Sequence, residues 1–161
     1  MVKKMTKSEI NAYSNRIACA TKTELVVIMY EIAKSYILSA TECYESSDME
    51  GFKRDLKKAK QFVNELNTSL NLEYRISYDL MSIYLFMNRT LLNAIIREST
   101  ENLSAVAGML DKLHDAFVVV SSQDESGPVM KNVQTVYAGL TYSKNNLNEM
   151  YDSQANRGFR V

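Results

Sequence analysis

Apolar residues recur at helical spacing in four long stretches of this chain. From residue 23 to 46, Leu25, Ile28 with Met29, Ile32, Tyr36 and Cys43 follow a 3.6-residue period. Thr21 and Glu24 form a capping box at its start: the hydroxyl accepts from an early unpaired N–H while the glutamate reaches back. From 49 to 70, behind the N-cap candidate Asp48, residues Phe52, Leu56, Ala59, Val63, Leu66 and Leu70 make one stripe. Lys53, Arg54, Lys57, Lys58 and Lys60 cover the opposite side, which reads as a solvated face or as a contact for an acidic partner. From 74 to 98, Ile76, Leu80, Ile83 with Tyr84, Met87 and Leu91 share a face. A fourth helix starts near Ser99 or Thr100 and carries Leu103, Val106 with Ala107, Leu110, Leu113 and Phe117. Each helix is about 22 residues, or ~33 Å long. Short connections near Ser47, Asn71 and Ser99 make consecutive helices antiparallel neighbours.

Two weaker elements flank these four. Residues 8–20 form a short helix with Ile10, Tyr13 and Ile17 on one face, too short to persist unless it docks on the bundle. Ser121 to Gly127 is polar and small, a linker by composition, and Pro128 suits the first turn of a further helix. Val133, Val136 with Tyr137, Leu140, Leu147 and Tyr151 give that helix an apolar side, interrupted by Lys144; Asn156 to Val161 are loose. The expectation is an all-α protein. It is an antiparallel up-down four-helix bundle with a short N-terminal helical segment and a fifth, C-terminal helix. Residues 1–122 hold the bundle; residues 123–161 hold the linker and extension.

Two of the four helices are more apolar than a bundle requires. Helix 23–46 has a second stripe, Val26, Tyr30, Ala33, Ile37 and Tyr44; helix 74–98 adds Tyr78, Met81, Leu85, Leu92 and Ile96. A bundle asks for about three apolar positions in seven from each helix. Something must therefore cover the outer faces of these two: the N-terminal segment, the C-terminal extension, a second copy, or another protein. Nine Met and ten Tyr suit a surface that accepts an imperfectly matched helix, though they equally fill a core and its rim.

Composition narrows the rest. Five Gly and one Pro among 161 residues are far fewer than the roughly 12% of average usage. An all-β fold needs a turn signal every 8–12 residues, and residues 1–126 hold only Gly51 and Gly108. Gly108, inside the fourth helix, marks either close packing or mere tolerance. Nineteen basic and nineteen acidic side chains cancel, which disfavours nucleic acid as the main partner. No apolar run spans a membrane, and Met1 to Glu9 lack the apolar stretch of a secretory signal. Cys19 and Cys43 have no metal-type spacing and read as free thiols in a reducing cytoplasm. Asp111 and His114 resemble half of a bundle metal site, but a second histidine does not exist. No catalytic constellation, cofactor or metal is expected.

Several blocks of residues also resemble those of a known family. Leu25-Val26-Val27-Ile28-Met29-Tyr30-Glu31 behind Ala20-Thr21 is similar to the family's Ala-Ser-Pro…Leu-Tyr-Asp opening. Glu65-Leu66-Asn67-Thr68-Ser69-Leu70-Asn71 resembles its Glu-Leu-x-x-Ser-Leu-Asp. Ile83-Tyr84-Leu85-Phe86-Met87-Asn88-Arg89-Thr90-Leu91 resembles Leu-Tyr-x-Tyr-Met-Asn-Arg-x-Leu, its most specific block, and Leu110 to Phe117 fit its final helix. The likeness, to the flagellar secretion chaperones FliS, runs from about Tyr13 to Phe117. Three departures stand out: Lys22 replaces the usual Pro, Ile32 a frequent Gly, and Tyr74-Arg75 a customary Gly pair.

The resemblance implies an antiparallel bundle in the bacterial cytoplasm. Such a bundle holds the C-terminal segment of new flagellin and prevents its polymerisation before export through the flagellar type III apparatus. It implies that Tyr13 and Ile17 belong to an N-terminal segment the client displaces. Leu25, Tyr30, Ile83, Tyr84, Met87, Asn88 and Leu91 then form the core and groove around the client. A co-chaperone or export component is a further possible partner, and the free protein is expected as a monomer or weak homodimer. The rival is a self-associating helical scaffold or signalling bundle with no flagellin client.

Overall fold

The computed structural model describes residues 7–131, and every regular element among them is helical. The order is α1 (Lys7–Cys19), α2 (Lys22–Glu45), α3 (Met49–Thr68), α4 (Arg75–Arg97) and α5 (Leu103–Ser121). α2 starts where its capping box dictates. Glu24 N–H donates to the Thr21 hydroxyl at 3.2 Å, and Thr21 N–H donates to the Glu24 carboxylate at 2.8 Å. α3 is capped by Asp48, which accepts from Gly51 N–H at 2.8 Å. A Cβ on Gly51 would lie 2.3 Å from that carboxylate, so the close cap needs glycine there.

The four long helices form the antiparallel bundle. Contacts between α2 and α5 descend one helix as they climb the other: Tyr30 meets Phe117, Glu31 meets His114, and Lys34 meets Asp111. Ser39 of α2 donates to Asp55 of α3 at 2.6 Å, and Lys53 at the start of α3 pairs with Glu98 just past α4. α2 packs broadly on α3 and α5, and α3 packs broadly on α4. α4 and α5 touch far less, which leaves one seam of the bundle thin. Leu56, Val63, Tyr84, Met87, Leu91, Val106 and Leu110 fill the centre with almost no exposed area.

Several sequence expectations need correction. The core face of α2 is the stripe counted second: Tyr30, Ala33 and Ile37 lie in the main core. Ile28 and Ile32 of the stripe counted first instead join a separate cluster beneath α1. Ser99 and Thr100 do not cap α5, which begins after Asn102, a left-handed residue with no side-chain cap. Ser47 and Glu98 are left-handed too, so two interhelical turns use non-glycine residues, at three positions, where glycine is the usual choice. Asp124 accepts from Thr23 N–H at 3.3 Å and Val129 N–H donates to the Ala20 carbonyl at 2.9 Å, tying this stretch to the α1–α2 turn. The compact unit runs on to Lys131. Pro128 opens no helix within the described residues, and the apolar positions of the expected fifth helix, Val133 to Tyr151, lie outside them.

Candidate functional site

α4 has two apolar faces, and the core uses one. Leu80, Tyr84, Met87, Leu91 and Ala94 point inward and are buried. On the other side Tyr74, Tyr78, Leu85, Leu92 and Ile96 stand exposed, with Leu85 at 52% and Ile96 at 69%. Met81 and Ile95 are half-buried beside them. Exposed single hydrophobics are ordinary, but several sharing one helix face are the mark of a binding surface. Burying Leu85, Leu92 and Ile96 would return about 1.5–3 kcal/mol each before the costs of association.

The corresponding outer face of α2 is covered. Tyr13 and Ile17 of α1 pack with Leu25 and Tyr36 around Ile28 and Ile32. Arg16 adds a fork to Glu31, its two terminal nitrogens donating at 2.5 and 2.9 Å. That guanidinium holds the Glu31 carboxyl below its ordinary range, against a partial burial that pushes it up; His114 adds a smaller lowering. His114 lies 3.3 Å from Glu31 through Nε2 and 3.1 Å from Asp115 through Nδ1. A cleft of about 540 Å³ runs beside these groups between α1, α2 and α5. A second of about 330 Å³ shares Glu31 and His114 and continues along the α2–α5 seam to Leu38 and Leu110.

The nine nominated residues divide between these places. Tyr13, Ile17 and Leu25 make the α1–α2 contact. Tyr30, Tyr84, Met87 and Leu91 are core residues with at most 1% of their surface exposed, and Ile83 is half-buried against the core. Asn88 is half-buried at the edge of the outer face of α4. Tyr30 and Tyr84 share a buried hydroxyl–hydroxyl hydrogen bond between α2 and α4. Burial above all raises both phenols above their ordinary range, so they stay protonated and cannot serve as bases. The exposed Tyr78, Leu85, Leu92 and Ile96 were counted in the sequence as surplus without being nominated. Phe86 and Tyr74, also exposed, were overlooked because they fall outside that stripe's count.

The chemistry on offer is apolar burial. Among the described residues no group of three His, Cys, Asp or Glu side chains could hold a metal ion. Among them, too, no helix is long and apolar enough to cross a membrane. Known proteins resemble this chain. The family model of the flagellar protein FliS matches residues 5–124. The flagellar secretion chaperone FliS of Bacillus subtilis (strain 168) is 32% identical over 103 residues, which cover 64% of this chain and 77% of that protein.

Proposed function

The chain belongs to the flagellar protein FliS family, and from that premise we propose that it is a non-enzymatic, cytoplasmic chaperone of flagellar export. Its client is the C-terminal segment of flagellin, held unpolymerised until secretion through the flagellar type III apparatus. The observation that carries the reading is the uncovered apolar face of α4, with Leu85, Leu92 and Ile96 in a row. A client helix laid there removes its own apolar stripe from water, and that stripe is then unavailable for pairing with other flagellin subunits. Tyr84, Met87 and Leu91 support the face from behind by fixing α4 in the bundle. The α1-covered face of α2 is a second place for the client, reached by displacing Tyr13 and Ile17 from Leu25.

Titration calorimetry of the full chain with a synthetic flagellin C-terminal segment tests this. The expected result is a 1:1 complex of micromolar or tighter dissociation constant, lost in the double variant Leu85→Asp/Leu92→Asp. No heat and no co-elution with the wild-type chain would overturn it. A stable dimer in sedimentation without client, abolished by the same variant, would favour the self-associating scaffold instead.

A further inference from the structure

The outer face of α4 has a period that says what kind of guest fits it. Tyr78, Met81, Leu85, Asn88, Leu92 and Ile95 are separated by 3, 4, 3, 4 and 3 residues. That alternation is the 3.5-residue repeat of a coiled-coil seam, with Ile96 and Phe86 also exposed along its outer flank. Alternate members differ in depth: Tyr78, Leu85 and Leu92 are exposed, and Met81, Asn88 and Ile95 are half-buried. Ser77, Tyr84 and Leu91, one position before each exposed member, are buried. The seam is therefore continuous with the core, and a helix seated on it would extend the bundle.

One seam position is polar. The Asn88 side-chain oxygen is buried and has no hydrogen-bond partner. Asn67 carries the other such oxygen found among the described residues, but it lies on α3, outside the seam. An unsatisfied buried acceptor is costly, and a single Asn in an apolar seam is the device by which coiled coils fix register. The amide nitrogen is not among the orphaned buried atoms, so its donors are the part of this side chain left to meet a group arriving from outside.

Resting on the reading of α4 as the client-binding face, we infer that Asn88 sets the register of the bound helix. The seam selects an amphipathic helix of 3.5-residue repeat whose position opposite Asn88 carries a hydrogen-bonding side chain such as Asn or Gln. A guest with leucine there strands the amide; a guest slipped by a heptad places leucine there too. Selection works through this mismatch as well as through the apolar contacts.

Two synthetic helices of five seam positions each test it, with leucine at every one except the central, which is Asn in one probe and Leu in the other. Asn88 is the middle of the five seam positions from Met81 to Ile95, so a central residue meets it in either orientation. Fluorescence anisotropy with the full 161-residue chain should show at least fivefold preference for the Asn probe. Asn88→Leu should reverse that preference, and Asn88→Ala, the smaller change, should erase it, with helicity and melting temperature retained. The same probe ratio in all three proteins would overturn the inference. So would failure of both probes on a chain that still binds the flagellin segment, and that result would leave the proposed function standing. Failure of probes and flagellin segment alike would remove both.

Discussion

α2 and α4 each carry more apolar surface than the bundle core consumes, yet among the described residues only the surplus on α4 is left uncovered. On α2, Ile28 and Ile32 lie 3% and 6% exposed beneath Tyr13 and Ile17. On α4, Leu85 and Leu92 at the matching outer position are 52% and 43% exposed. The difference follows from connectivity. α1 is joined directly to the start of α2, so closing it over that face costs little loop entropy. α4 is flanked by turns that lead straight into α3 and α5, and no described neighbour reaches over it. A face covered by the chain itself is part of the fold; the outer face of α4 has no such cover among the described residues.

The sharpest break between the faces of α4 comes from placing a charge on each. Met87→Asp puts a carboxylate where no surface is exposed and should cost about 4 kcal/mol or more, enough to unfold a marginally stable bundle. Leu85→Asp puts the same charge in water. It should leave the melting temperature within a few degrees but weaken client binding at least 100-fold, about 2.7 kcal/mol. Circular dichroism melts alongside calorimetry read both effects. If Leu85→Asp bound the client normally while folded, the outer face would not be the site.

How the inner side of α4 is fixed can be tested at the Tyr30–Tyr84 pair. Tyr84→Phe leaves the Tyr30 hydroxyl buried without a partner and should destabilise by about 1–3 kcal/mol. Tyr30→Phe with Tyr84→Phe removes both groups and should recover most of that loss. A double variant as unstable as the sum of the two singles would mean the hydroxyls are bonded elsewhere. Gly108 offers a smaller test on the neighbouring helix. A Cβ there would meet nothing within 4 Å, so the glycine is tolerated and not required by close packing. Gly108→Ala should therefore stabilise by about 1 kcal/mol in a urea melt. It should not change client affinity if the client keeps to α4; a loss of affinity would show that the client passes over α5.

Much of this was legible in the sequence because periodicity and caps carry it. Thr21 with Glu24, and Asp48, announce their helices chemically, and the single stripe from Phe52 to Leu66 leaves no choice of face. α2 was ambiguous for the same reason that α4 was informative: two apolar stripes lie side by side, and spacing alone does not say which one the core takes. The start of α5 was misplaced because left-handed Glu98 and Asn102 end and open helices without the glycine that would mark them. The surplus on α4 was visible, but the residues chosen from its most recognisable block, Tyr84, Met87 and Leu91, belong to the inward face. A motif records which residues matter to the family and not which way each one points.

The smallest expected effect decides whether the covered face is as closed as it looks. α1 is held by a modest apolar contact and by Arg16 on Glu31, a partly exposed pair worth about 0.2–1 kcal/mol. Glu31 has a lowered pKa in the folded state, so its contribution is complete above the ordinary glutamate range and fades as pH falls through the lowered value. The opening of residues 7–19, read from hydrogen exchange relative to the intrinsic amide rate, should therefore be steady near neutrality and rise in acid before that of α2 to α5. Arg16→Ala should raise it up to about fivefold at pH 7 and flatten its pH dependence. An α1 whose exchange ignored both acid and Arg16→Ala would be seated by its apolar contacts alone. The same variant separates the two routes for the client. If the client displaces α1, loosening α1 should tighten client binding by up to the same factor, because less of the binding energy is spent on opening. If the client seats on α4 alone, its affinity should not move, and the two faces differ in role as well as in cover.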